Sequence, residues 1–234
     1  MRGTVFAAAA EDLVWTTELG GPRQLRASAT RRRGHGITEG MLDAAFDTAV
    51  ITITGQSSLG HFAAASVAEI GEAWERAGIP TDAGRRYHLL YSLMAAGRLA
   101  YGPIHRRPST GTLLQLVVIA EEWLPSGAGL SHRFNGDEDA AIAHWLHRYL
   151  WGHGPATLRD FSWWTKLPLG RIRAVAAPVL TEFERYGHDH DGDAFYGRPG
   201  LWEERTQARS ALRRAKLLAP STNSYSATTI AFDC

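Results

Sequence analysis

Apolar residues recur at helical spacing along most of this chain, and capping and turn residues interrupt the recurrences at regular places. The pattern is sharpest over residues 147–179. Thr157-Leu-Arg-Asp160 is a capping box just after Pro155, so a helix is predicted to start there. Leu158, Phe161 and Trp164 then give it an apolar stripe, and Lys166-Leu167-Pro168 ends it. Leu169, Ile172, Val175/Ala176 and Val179 form the stripe of a second helix. Pro178 stands inside that helix, where proline costs about 3 kcal/mol, so a kink or an end by Ala177 is expected. A capped helix, a tight break and a second helix carrying Arg171 and Arg173 outline a helix-turn-helix. The same spacing also suits an ordinary helical hairpin in a core.

The rest of the chain repeats these signals. Residues 1–6 read as a strand, and a short helix follows from Glu11. Arg31-Arg32-Arg33 beside Gly34 and Gly36 reads as a solvated loop, with phosphate contact as the functional alternative. Thr38, Met41, Leu42, Ala45, Phe46, Ala49 and Val50 mark an amphipathic helix. Ser66-Val-Ala-Glu69 is a second capping box, with Val67, Ile70 and Trp74 on one face and Gly78-Ile79-Pro80 as the stop. Thr81 or Asp82 is expected to cap the next helix, with Ala83, Tyr87, Leu90 and Met94 inward and Arg85, His88 and Ser92 on the other side. Gly97 closes it. Strands are predicted over 98–102 and 113–118, joined by a loop carrying His105, Arg106 and Arg107. Two helices followed by a hairpin with a basic tip form a winged helix, and the tip suits phosphate contact as well as it suits a solvated loop.

The order then recurs. Helices over 38–53 and 137–151 precede the two capping boxes, and a second helix and a hairpin follow each. Asp191-Gly192 is the turn of the second hairpin, between 183–187 and 194–197. The fold class expected is mainly α with small β wings (α+β), built of tandem winged helix-turn-helix domains. Residues 1–36 would be the remnant of a first module, 37–124 and 137–197 two winged helices, and 198–234 an atypical tail. Glu121 to Gly136, rich in Gly, Ser and Pro, falls where a linker belongs. His188-Asp189-His190-Asp191 and Asp193 invite a metal reading, but Ala194 and Gly200 stand where an EF-hand needs glycine and glutamate. Zinc-ligand spacing from two elements is also missing. The cluster therefore reads as a solvated turn, and no metal or cofactor is expected.

Composition changes this picture little. Across 234 residues, 44% are hydrophobic and 21% charged, as in ordinary soluble domains. The net charge of +1 means that any basic surface must be local. The lone cysteine, Cys234, cannot form an internal disulfide. No apolar run reaches the roughly 18 residues of a membrane span, and no leader pattern opens the chain, so a cytoplasmic location is expected.

Four segments, in order, resemble one known family. They are Met1-Arg-Gly-Thr4 with Glu11-Asp12-Leu13, then Ala77-Gly78-Ile79 with 97–103 (GRLAYGP). Arg148-Tyr149 with 153–161 (HGPATLRDF) is the most specific, and 163–169 (WWTKLPL) continues it, with Lys166 where the family commonly has glycine. The chain is similar over residues 1–197 to the AlkZ-like winged-helix proteins, which include bacterial DNA glycosylases acting on alkylated bases and interstrand crosslinks. The resemblance implies winged helices around a DNA channel and double-stranded DNA as the partner. It also implies that the family's Gln-x-Gln motif, which positions the catalytic water upstream of the "RGT" segment, falls outside this sequence. Gln24, Gln56, Gln115 and Gln207 include no such pair, and Phe6 replaces a histidine common after "RGT". No catalytic residue is therefore carried over. Arg85, His88, His105, Arg106, Arg107, Arg171 and Arg173 are the expected DNA contacts, on a monomer.

Two other readings stay open. A winged-helix transcription regulator would be a dimer with one preferred operator, and a purely structural or protein-binding use would show no DNA affinity. For residues 198–234 the expectation is a frameshift upstream of Pro220. One choice of GC-rich codons for 220–231, read in another frame, spells Leu-His-Glu-Leu-Leu-Leu-Gly-Tyr-Asp-Asp-Arg, close to a segment that follows the family's third winged helix.

Overall fold

A computed structural model of the chain describes residues 8–55, 63–106 and 110–207. It is mostly helical with small antiparallel sheets, and it divides into two compact units, Gly3–Gly136 and Asp137–Cys234. The segment 1–6, expected as a strand, lies outside the described residues.

The first unit opens with α1 (Ala10–Gly34), a helix far longer than the short one expected from Glu11. It runs through Gly20-Gly21-Pro22, which reads locally as a stop. Packing overrides that signal: a Cβ on Gly21 would lie 2.1 Å from the carbonyl oxygen of Ala95, so glycine lets the two backbones meet. Trp15 and Leu19 are buried on the same face. The triplet Arg31-Arg32-Arg33 is the last turn of α1 and not a loop, placing cations at the negative end of the helix.

Next come α2 (Glu39–Gly55), β1 (Ala65–Ser66), α3 (Val67–Arg76), α4 (Arg85–Ala95), β2 (Leu99–Arg106) and β3 (Leu113–Ile119). The Ser66 capping box forms as expected, with hydroxyl and Glu69 carboxylate each satisfying a backbone N–H. Trp74 fixes α3 to α2 by donating its indole N–H to the carbonyl of Ala45 at 2.7 Å. Ile53, Ile70, Leu89, Leu93, Leu99 and Val117 complete the core around it. Helix α4 departs from expectation. Ala83 and Gly84 hold positive φ (48° and 85°), so neither Thr81 nor Asp82 caps it and it begins at Arg85. Leu89, Leu90, Leu93 and Ser92 are buried while Tyr87 is exposed. Ser92 can sit inside because its hydroxyl donates to the His88 carbonyl at 2.7 Å.

The sheet has the order β1-β3-β2, all antiparallel. Strand β2 extends past Tyr101 to Arg106, further than predicted, by absorbing one extra residue at a bulge between Tyr101 and Ile104. Pro103 is tolerated because β2 is an edge strand and the bulge lies there. Gln115 donates its side-chain amide to the freed carbonyl of Gly102 at 2.8 Å. The expected linker instead carries two short helices, α5 (Ala120–Trp123) and α6 (Leu130–Phe134). Its glycine and asparagine serve as helix boundaries, and α6 docks on α1. Arg133 bonds Asp12 at 3.1 Å, Glu18 accepts from the Leu130 N–H at 2.6 Å, and the Phe134 ring meets Trp15 edge-on at 5.2 Å.

The second unit contains α7 (Glu138–His153), α8 (Leu158–Thr165), α9 (Leu169–Leu180), a hairpin of β4 (Glu184–His188) and β5 (Ala194–Gly197), and α10 (Leu201–Gln207). Asp137 caps α7 and Thr157 caps α8, the latter in the expected box. Phe161, Ile142, Leu146, Ile172 and Phe195 are fully buried. Ala156, just before the cap, exchanges two backbone hydrogen bonds of 2.9 Å with Tyr196 of β5. Gly154 permits the crossing, since a Cβ there would lie 2.4 Å from the Leu150 oxygen and 2.7 Å from the Gly197 Cα. Helix α9 continues past Pro178 to Leu180 and does not end by Ala177. The proline falls in the last turn, so the bond its missing N–H forfeits lies at the helix end and only two residues follow it. Helix α10 docks on the hairpin through Tyr186, whose hydroxyl accepts from the Leu201 N–H at 3.1 Å. Residues 208–234, including the 220–231 segment behind the frameshift expectation, lie outside the described residues.

Candidate nucleic-acid interface

The basic residues predicted to meet DNA occupy three places, and their partners differ. On the first hairpin, His105 is half-buried and Arg106 exposed, with Arg106 opposite Leu113 in register. The Arg106 guanidinium donates to the Gly111 carbonyl at 2.8 Å, which holds the side chain along the turn. Arg107 lies outside the described residues.

On α4, Arg85 is committed to the protein, donating to the His35 carbonyl at 2.8 Å and to Asp82 at 2.5 Å. His88 packs on His35, the residue just after α1, with ring centroids 4.5 Å apart. Burial, then His35, then Arg31 push the His88 pKa below its ordinary value, burial by desolvating the imidazolium and the other two by like charge. The expectation named Arg85 and His88 but did not join them to α1. Only the fold shows that Arg31 and His35 share their corner, because α1 was read as ending long before.

In the second unit, Arg171 is held by two carboxylates of the first turn of α7: Glu138 at 2.6 Å and Asp139 at 3.0 Å. Arg173 and Arg159 both reach Asp193, at 3.4 and 2.7 Å. Thus α9 presents its arginines pre-paired. Asp193 therefore serves as an anion for arginines. Asp189 closes the hairpin turn, its carboxylate accepting from the N–H groups of Asp191 and Asp193 at 2.9 and 2.8 Å. Among the described residues no group of three or more His, Cys, Asp or Glu is placed to hold a metal ion. No helix among them is long and apolar enough to cross a membrane.

Against known proteins, the family model described as DNA glycosylase AlkZ-like matches residues 1–222. The match reaches past residue 197, where the resemblance seen in the sequence stops, into the segment read as atypical. No curated protein matches the chain, and no solved structure matches it.

Proposed function

The chain belongs to the AlkZ-like family of DNA glycosylases, and from that membership we propose that it engages double-stranded DNA through two tandem winged helices, residues 37–124 and 137–197. The family match carries this reading. The topology supports it: a helix, a short strand, two helices and a hairpin, with the short strand beside the second strand of the hairpin. The second unit supports the repeat. Ala156 precedes the cap of α8 as Ala65 precedes that of α3, and each pairs with the second strand of its own hairpin, at Tyr196 and Val117. In this reading Arg85, His88, His105, Arg106, Arg107, Arg171 and Arg173 hold the backbone of DNA, and residues 1–36 close a preceding module. The role proposed is to bind and orient the duplex for base removal.

Fluorescence anisotropy with duplex DNA across a salt series tests the reading. Affinity should fall as salt rises, because phosphate contacts release counterions. Binding indifferent to salt, or no binding at low salt, would sink it. A dimer with a single preferred operator would favour the regulator instead.

A further inference from the structure

We infer that Arg31, His35 and His88 form a phosphodiester-binding site on the first unit, one that takes up protons as it binds DNA. The inference rests on the DNA-binding reading above and adds to it a site and a linkage to pH.

The corner where α1 ends and α4 begins gathers positive charge without an acid to balance it. Arg31 and His35 are one helical turn apart, so both face the same side, and His88 comes to them from α4. Among the described residues no carboxylate pairs with these three. Elsewhere in the unit Arg32 has Glu39 at 3.7 Å, Arg98 has Asp43 at 2.7 Å and Arg133 has Asp12 at 3.1 Å, while Arg33 and Arg106 meet only a hydroxyl and a carbonyl; what marks the corner is two imidazoles packed together beside an arginine. Asp82, the acid just before α4, is already taken by Arg85.

The corner is also held in place. Arg85 donates to the His35 carbonyl, and the His35 N–H donates to the Arg31 carbonyl at 3.1 Å. Tyr87 lies edge-on to His88 at 5.2 Å and stacks on Tyr91 at 6.1 Å, and Tyr91 donates to Gln24 of α1 at 3.2 Å. The groups shown to act on His88 are therefore His35 and Arg31 from the end of α1 and Tyr87 from α4, while Arg85 at the start of α4 and Asp82 just before it are paired with each other. None supplies a free negative charge.

Burial first, and then the like charge of His35 and Arg31, disfavour the charged form of His88 in the free protein. A phosphate seated between the rings and Arg31 reverses the balance, because it favours the imidazolium and gains two charge-assisted hydrogen bonds. Binding and protonation are then linked. Affinity rises as pH falls toward the histidine range, by up to about tenfold per pH unit for each proton taken up.

The test measures Kd of the full chain for a fluorescein-labelled duplex between about pH 6 and pH 8, at fixed ionic strength. The wild-type Kd should tighten about three- to tenfold at the acid end. His35→Gln with His88→Gln should remove most of that change, Arg31→Gln should weaken binding at both ends, and His132→Gln on α6 should behave as wild type. A histidine NMR titration of the unmutated chain covers the case in which the double variant misfolds. Saturating DNA should raise the His88 pKa. An unchanged His88 titration, or full pH dependence in a folded double variant, overturns the site while leaving DNA binding intact. Absence of any salt-sensitive DNA binding by the wild type overturns the functional reading, and the site with it.

Discussion

Lys166 sits at the end of α8 with φ 64° and ψ 16°, in the left-handed region that glycine enters without penalty. The resemblance noted in the sequence expects glycine here, and the left-handed backbone is the conformation that glycine suits. Relief of a left-handed non-glycine residue is worth about 1–2 kcal/mol, against about 0.5–1 kcal/mol for the extra freedom of glycine in the unfolded chain. The Lys166 ammonium also lies 4.9 Å from the centre of the exposed Trp163 ring, a contact worth about 0.5 kcal/mol. We expect Lys166→Gly to stabilise the protein by about 0.5 kcal/mol, read from urea unfolding. A loss greater than about 1 kcal/mol would mean that the ring contact outweighs backbone strain.

At the scale of elements, what could be read ahead was what local chemistry controls. Both capping boxes form because the Ser66 and Thr157 side chains and the carboxylates three residues later need only each other. The Asp191-Gly192 turn forms for the same reason, Gly192 taking φ 84°. What could not be read depends on distant backbone. Gly20-Gly21-Pro22 looks like a helix stop until the Ala95 carbonyl is seen to need the space above Gly21. A helix starting at Thr81 or Asp82 would turn Tyr87 inward; the positive-φ pair Ala83-Gly84 forbids that start, and Leu89 and Leu93 are buried instead. The candidate site inherits both effects. Arg85 and His88 were visible as polar residues on a helix, but their meeting with Arg31 and His35 was not, since it needs the full length of α1. The caps offer a quantitative check. Thr157 both accepts from the Asp160 N–H at 3.0 Å and donates to its carboxylate at 2.9 Å. Thr157→Ala and Ser66→Ala should each cost about 1–2 kcal/mol in urea unfolding, and Thr157→Ser should retain most of the stability. If Thr157→Ser costs as much as the alanine change, packing of the methyl group and not capping holds the start of α8.

Over the whole molecule, charge is nearly balanced: 25 Lys and Arg against 24 Asp and Glu, a net +1. Long-range attraction to DNA is therefore weak, and affinity must depend on which cations are available locally. Arg171, one of the expected contacts, is held by Glu138 and Asp139 at 2.6 and 3.0 Å. For it to reach a phosphate, that exposed pairing has to open, and the net value of such a pair is only about 0–1 kcal/mol. The exchange is thus accessible but not free. Removing the acids should expose the arginine and raise the net charge by two. We expect Glu138→Gln with Asp139→Asn to bind duplex DNA more tightly than wild type at low salt. The log–log salt dependence should steepen by about 0.9 for each phosphate newly contacted, so one freed arginine adds about one unit. Arg171→Gln placed on top of the double change should return the slope to the wild-type value. A slope that steepens equally with and without Arg171 would show that the gain comes from net charge alone, and would remove Arg171 from the interface.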